Sequence, residues 1–273
     1  MHFNFGFTTV QVLWMLTFAA LLVVLVVLLG RDRSRRFPWF TFSMALTALR
    51  LLASRMLFER MAPMATSSIF LTLAILEALV SLAVLVELAR RAFSGATRNA
   101  WIISTLAMLA GGAAVLATWG PWPPWKTLTA ESTLAVLRLM QLVAQKTDLL
   151  ADVLTIELGV VVMMFGRRFK AGWRSHTQQI VIGLSTAAIG QMAVRGIWQI
   201  IALHAAPHSQ AEYERVIGLQ EKLYNSNSVV FLAVLVWFIV CLWIDEPGTG
   251  TAAAAGAEAL PAEADGVGAA EKK

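Results

Sequence analysis

The chain has 273 residues, of which 58% are hydrophobic and only 14% are charged, and its formal net charge is +5. Soluble domains usually carry roughly 25% charged residues, so this composition excludes an ordinary soluble protein and indicates a protein of the lipid bilayer. The excess cations lie beside the apolar segments and form no separate basic domain, which argues against a nucleic-acid partner.

Seven apolar segments are long enough to cross a bilayer core, which requires about 20 helical residues. They cover residues 8–29, 38–57, 68–88, 100–119, 147–165, 178–203 and 227–243. The fifth is the most polar because it contains Asp148, Asp152 and Glu157. The sequence therefore predicts an all-α fold, a polytopic membrane helix bundle with seven transmembrane helices in residues 1–246.

Lys and Arg are distributed unevenly among the predicted connections. The first, third and fifth connections contain 11 of them in 31 residues, whereas the second, fourth and sixth contain 6 in 60 residues. By the positive-inside rule, the first set is cytoplasmic. We therefore expect the N-terminus outside the cell and the C-terminus in the cytoplasm. No Lys or Arg precedes the first span, unlike in a cleavable signal peptide, so we expect this span to be retained.

The residues after the last span have a different composition. Residues 247–273 are rich in Ala, Gly and acidic residues, and Leu260 is the largest apolar side chain among them. Such a segment cannot bury enough apolar surface to offset the entropy lost on ordering. We predict a disordered cytoplasmic tail without an effector domain, so any signal would have to pass through a partner chain.

Two ionisable residues lie deep in the second and third predicted spans. Arg50 is 12 residues from Pro38, and Glu77 is 11 residues from Leu88, so the two would be level in antiparallel neighbours. An unpaired charge at mid-bilayer costs about 2.5 to 3.5 kcal/mol even on a lenient scale. We therefore predict an intramembrane ion pair between Arg50 and Glu77.

The segment QKTDLLADVLTIELG, residues 145–159, contains four ionisable residues within the fifth predicted span or next to it. A helix turns by about 100° per residue, so residues that follow one another at steps of three and four lie on one face. That face contains Arg138, Gln141, Gln145, Asp148, Asp152, Thr155 and Gly159. In the sixth span, Gln191, Arg195 and Gln199 form a matching stripe, and Arg195 would be level with Asp148.

Two interpretations of these stripes remain open. Ionisable groups in a bilayer usually face a bundle interior or a wet cavity, which favours a polar pocket open to the outside. Its predicted lining is Gln145, Asp148, Asp152, Gln191, Arg195 and Gln199. Alternatively, the polar groups only fix the register of neighbouring helices. Glu87 and Glu157 are interpreted separately, as side chains that reach towards cytoplasmic arginines.

Several chemistries are excluded by the residues present. The last span contains no Lys for a retinal Schiff base, and no His lies within a span to hold haem. Ser185, in GLST, has no His base in a following span, so we expect no enzyme activity. His204, His208 and Glu212 follow at steps of four, but Pro207 interrupts them, so we expect a solvated loop. No metal and no cofactor are expected.

Two short motifs suggest a family. RRFPWFTFSM after the first span and LVELARRAF at the end of the third resemble uncharacterised bacterial seven-helix integral membrane proteins. The layout is also similar to the seven-helix input modules of bacterial sensor proteins, although an effector domain is missing. The resemblance implies a multi-pass protein of the bacterial inner membrane.

These observations leave three functional hypotheses. The first is a non-enzymatic receptor-like or accessory module that senses a small polar ligand or protons from outside and acts on a cytoplasmic or membrane partner protein. The alternative is a small transporter or a proton or ion pathway that uses the same acids. Ordinary transporters are disfavoured because no inverted repeat is evident. A structural assembly subunit is the third hypothesis, and the oligomeric state is left open.

Overall fold

A computed structural model of the chain describes residues 8–57, 63–120, 122–124, 133–165, 175–204 and 209–245. Within these residues the protein is all-helical and has no strand. The helices are α1 (Thr9–Gly30), α2 (Pro38–Leu57), α3 (Pro63–Ala92), α4 (Arg98–Thr118), α5 (Thr133–Phe165), α6 (His176–His204) and α7 (Gln210–Trp243). The predicted all-α helical bundle is confirmed for this part of the chain. The predicted tail, residues 247–273, lies outside the described residues.

Five helices are long and apolar enough to cross a membrane, namely α1, α3, α4, α6 and α7. The other two predicted spans, 38–57 and 147–165, also form helices, but they are more polar. Arg50 and Arg55 lie in α2, and the predicted span within α5, residues 147–165, contains three carboxylates. Helices of this kind require neighbours that cover their charges if they are to cross a bilayer.

Six of the helices form a closed ring. Around it, α1 packs on α2, α2 on α3, α3 on α5, α5 on α6, α6 on α7, and α7 returns to α1. Helices α3 and α6 also touch across the ring. Among the described elements, α4 packs on α5 alone, so it lies outside the ring.

Helix α4 approaches α5 closely because its contact surface consists of small residues. A Cβ at Gly111 would collide with the carboxylate of Glu157, and a Cβ at Gly112 would lie 3.0 Å from side-chain carbons of Leu150 and Leu154. Small residues let helix backbones approach each other within a membrane. The Glu157 carboxylate therefore lies at the α4–α5 interface rather than in the ring interior.

The tightly packed core occupies one end of the bundle. Buried residues of α1, α3, α5 and α7 are concentrated in the C-terminal halves of these helices, whereas those of α2 and α6 lie mostly in the N-terminal halves. Phe40 and Phe238 meet here edge to face, with ring centroids 5.2 Å apart. We name this the closed end, where α1 ends and α2 begins, and the opposite end the open end.

Polar contacts join three chain segments at the closed end. Arg33 is buried and donates to the Asp245 carboxylate at 3.0 Å and to the Ile244 carbonyl at 3.2 Å. Its Nη1 lies 2.8 Å from Nδ1 of His176, and Nε2 of His176 lies 2.9 Å from the Ile244 carbonyl. An arginine only donates, so Nδ1 of the neutral ring accepts and Nε2 carries the hydrogen.

Helices α5 and α7 are longer than the spans predicted within them. Helix α5 is continuous over 33 residues, about 50 Å at 1.5 Å per residue, with no break near Lys146. Helix α7 has 34 residues and begins 17 residues before the predicted span at 227. Residues 210–215 are all exposed. The start of α7 therefore extends beyond the bundle at the open end.

Candidate functional site

The ring of six helices surrounds a cavity of about 640 Å³, which we name the central cavity. Every ring helix contributes to its lining, and four of the lining residues are ionisable: Arg50, Glu77, Asp148 and Asp152. The cavity extends to Val10 and Phe70, near the open ends of α1 and α3. Its charged side chains are arranged in two groups, one between α2 and α3 and one between α5 and α6.

The first group lies between α2 and α3. The structure places Arg50 and Glu77 in an ion pair, at the equal depth that was inferred from the sequence. Thr47 donates to the other carboxylate oxygen of Glu77 at 2.9 Å. The Arg50 side chain is 45% exposed, against 19% for Glu77. The guanidinium therefore retains a face that a molecule in the cavity can contact.

The second group lies between α5 and α6. Arg195 forms an ion pair with Asp148, and its Nη1 lies 3.2 Å from Oδ2 of Asp152. Gln191 donates to the same Asp148 oxygen at 3.2 Å. Oδ2 of Asp152 is close to Arg195, but it has no directed hydrogen bond among the described residues. Two carboxylates thus share one guanidinium, so the site has an excess of acidic over basic groups.

Three predicted pocket residues do not line the central cavity. Gln145 is exposed, and Arg195 and Gln199 are partly buried without lining the cavity. Arg195 nevertheless contacts both of the carboxylates that do line it. Lys146, the residue after Gln145, donates to the Trp119 carbonyl at 2.6 Å, where α4 terminates, so this part of α5 contacts the end of α4. Helical periodicity alone gives no sign of that contact.

Other lining residues were missed by the sequence interpretation. Thr17 of α1 and Asn225, Asn227 and Ser228 of α7 also line the cavity. Thr17 is the single hydroxyl residue in the apolar part of α1 after Gln11, so no pattern identifies it. The run YNSNS could have been recognised as a polar entry to the last span, but most of it was assigned to a connection.

The cavity ends in a floor of packed apolar side chains. Leu21, Leu88, Leu158 and Val181 line the cavity and are at most 1% exposed. The Phe40–Phe238 pair packs in the same core cluster. A molecule that enters from the open end therefore meets a well-packed core and no polar route to the closed end within the described residues.

Ser185 has a structural contact in the bundle. Its hydroxyl donates to the Thr155 carbonyl at 2.9 Å, and Gly159 leaves room for it on α5. The bond joins α5 to α6 just beside the cavity. In the part of the chain that the structure describes, no group of three or more His, Cys, Asp or Glu side chains could hold a metal ion. His208 lies outside that part.

Comparison with protein-family models, curated proteins and solved structures finds no match. The resemblance to bacterial seven-helix proteins therefore stays a prediction. The features that bear on function are the central cavity, its charged side chains and its apolar floor.

Proposed function

We propose that the chain is a non-enzymatic, seven-span membrane protein that binds a small polar ligand in the central cavity and acts through a partner chain. One observation carries the proposal. Charged groups from two helix interfaces, α2–α3 and α5–α6, face a cavity that extends to one end of the bundle, while the other end is tightly packed. A receptor needs an accessible binding site and no route through the membrane.

The packing of the two polar helices supports seven crossings. Helix α2 lies between the apolar helices α1 and α3, and α5 contacts α3, α4 and α6. Both are therefore integral parts of a bundle whose other members are apolar enough to span a membrane. Arg50, Asp148 and Asp152 face the cavity, so these charges need not contact lipid.

The positions of the arginines support one orientation of the bundle. All seven arginines of the first and third predicted connections lie at the closed end, where α1 and α3 terminate. By the positive-inside rule this end is cytoplasmic. The cavity would then open to the outside, with Thr8 outside and Asp245 inside. The resemblance places such a protein in a bacterial inner membrane.

A transporter or ion pathway is the second candidate. It is favoured by Asp148 and Asp152, which lie one helical turn apart and share Arg195, as relay groups in membrane pathways often do. Transport would require the floor at Leu88 and Leu158 to open, and these residues are almost completely buried. The geometry therefore favours binding without passage.

Thiol accessibility tests the proposed pocket. In a Cys241→Ala background, Ser54→Cys and Ser81→Cys place a thiol on the cavity lining, and Ser185→Cys places one in a buried contact outside it. All three changes replace an oxygen by a sulfur. A small membrane-impermeant thiol reagent added to intact cells should modify the first two and spare the third. If the lining thiols stay unmodified in a folded protein, the polar groups only pack helix against helix without access to water. The structural-subunit hypothesis would then replace the binding proposal.

Flux measurements separate the two functional candidates. Purified protein in sealed vesicles should pass neither protons nor small cations, whether Asp152 is present or replaced by Asn. Flux that Asp152→Asn abolishes would overturn the receptor proposal in favour of the pathway.

A further inference from the structure

A second cavity lies at the closed end, separate from the central cavity. It has a volume of about 880 Å³ and is formed by the first turn of α2, the last turns of α3 and the start of α6. Its ionisable lining residues are Arg36, Glu87, Arg90 and Arg91. We name this cavity the basic cleft.

The one carboxylate of the basic cleft is already engaged. Oε2 of Glu87 accepts a hydrogen bond from the Phe40 backbone N–H at 3.2 Å. Helix α2 begins at Pro38, and the first N–H groups of a helix have no partner within it. Glu87 therefore caps α2 from the neighbouring helix, and its charge interacts with the positive end of the α2 dipole. The three guanidinium groups remain the dominant charge of the cleft.

The arginines differ in how firmly they are held. Arg91 donates to the Arg36 carbonyl, and its guanidinium lies 4.8 Å from the centroid of the Phe37 ring. Arg90 is exposed and makes no hydrogen bond or ion pair with other described residues. One guanidinium is thus fixed in the cleft, while another is free to meet a ligand.

An apolar surface continues from the charged part of the cleft. Val86 lies one helical turn before Arg90 on α3, and its side chain is 48% exposed. Ala83 and the exposed ring of Trp39 complete this surface. Tryptophan is enriched where membrane helices cross the headgroup region. The charged part of the cleft is therefore at headgroup level, and Val86 lies towards the hydrocarbon.

We propose that the basic cleft binds an anionic phospholipid, with the lipid phosphate at Arg90 and Arg91 and an acyl chain along Ala83 and Val86. Guanidinium groups form strong charge-assisted hydrogen bonds with phosphate. Basic pockets between membrane helices suit anionic headgroups, whereas the ammonium group of a zwitterionic lipid would be repelled by three arginines. Only a ligand with both an anion and an apolar chain would use both parts of the cleft.

The test compares two lipids that differ only in headgroup. Full-length protein in detergent is titrated with phosphatidylglycerol or with phosphatidylcholine of the same acyl chains, and bound lipid and the melting temperature are measured. Phosphatidylglycerol should bind and raise the melting temperature, and phosphatidylcholine should do so much less. Arg90→Gln should lower the affinity for phosphatidylglycerol about five- to tenfold, the loss of one cation–phosphate contact.

Arg98→Gln is the matched control, because Arg98 is an exposed arginine at the same end of the bundle but outside the cleft. It should change the affinity less than twofold. Equal losses of phosphatidylglycerol affinity in the two variants would show that the lipid is attracted by the overall positive charge of this end. The proposed site at Arg90 would then be wrong. Equal binding of the two lipids would overturn the requirement for an anion. If inorganic phosphate stabilises the protein as phosphatidylglycerol does, with the same sensitivity to Arg90→Gln, the site binds free phosphate and the lipid proposal is wrong.

Discussion

Arg33 and His176 are 143 positions apart in the chain, yet the Arg33 guanidinium lies 2.8 Å from Nδ1 of the His176 ring at the closed end. The contact ties the α1–α2 connection to the first residue of α6. Both residues also bond to the Ile244 carbonyl, where α7 ends. Three segments that lie far apart in sequence are therefore held by one buried cation.

Arg33→Ala should destabilise the protein strongly. The change leaves His176 Nδ1 without its donor and removes two hydrogen bonds at 244–245, and we expect a cost of about 2–3 kcal/mol, because Asp245 is exposed and only the buried acceptor is left unsatisfied. Arg35→Ala is the control. The Arg35 side chain is 86% exposed and pairs only with Asp32 nearby, so its removal should cost less than about 0.5 kcal/mol. Thermal unfolding in detergent measures both, and equal melting temperatures would contradict the buried role.

The Arg50–Glu77 pair should behave as a coupled unit. Arg50→Ala and Glu77→Ala each remove one partner, and the double change should recover about 1 kcal/mol of the summed losses. The expected coupling is modest because the Arg50 side chain is nearly half exposed. The exposed pair Arg35–Asp32 provides a reference, with an expected coupling of about 0.3 kcal/mol. Strictly additive losses at Arg50 and Glu77 would show that the two do not interact.

The depth of a charge in a helix could be predicted from the sequence, whereas the neighbours of a helix could not. Counting from helix ends placed Arg50 level with Glu77, and Arg195 level with Asp148, because rise per residue is constant. Helix α1, by contrast, is apolar on all sides, so no stripe indicates that it packs on both α2 and α7. The position of α4 outside the ring likewise depends on tertiary packing at Gly111 and Gly112.

His176 shows the same limit at the level of one residue. From the sequence it belongs to a cationic connection outside the spans. In the structure it is the first residue of α6 and is 1% exposed. Its burial depends on Arg33 and Ile244, which come from other parts of the chain. Local pattern carries no information about such partners.

Gly183 should tolerate no side chain. A Cβ at this position would lie 2.7 Å from Cζ of the Phe238 ring, and that ring is itself fixed against Phe40. Gly183→Ala should therefore cost about 1–3 kcal/mol through overpacking. Gly218→Ala is the matched control in α7, because nothing lies within 4 Å of its Cβ position. There the higher helix propensity of Ala should raise stability by about 0.5–1 kcal/mol. Equal shifts in melting temperature would contradict the packing of α6 on α7.

Reporter fusions test the orientation of the bundle. A reporter joined after Asp245 should be active in the cytoplasm, and one joined before Thr8 should be active outside, since the closed end carries the arginines. An external reporter at Asp245 would place the opening of the cavity in the cytoplasm. The proposed sensing of an external ligand would then be wrong, although the fold would stand.

The last prediction concerns Arg195, which serves two carboxylates at once. Arg195→Gln leaves both Asp148 and Asp152 without a cation, whereas Asp148→Asn leaves Arg195 its contact with Asp152. We expect the first change to lower stability by about 2–3 kcal/mol, because uncompensated charge inside a bundle is costly, and the second by about 1 kcal/mol.

Combining Arg195→Gln with Asp152→Asn should recover part of the loss, since the more buried of the two carboxylates is then neutral. Arg138→Gln is the control, because Arg138 lies on the same face of α5, ten residues before Asp148, but is exposed. It should change stability by less than about 0.5 kcal/mol. If Arg195→Gln lowers stability no more than Arg138→Gln does, Arg195 does not stabilise the carboxylates of Asp148 and Asp152 in the folded protein. The central cavity would then lack the preorganised wall that the proposed ligand site requires.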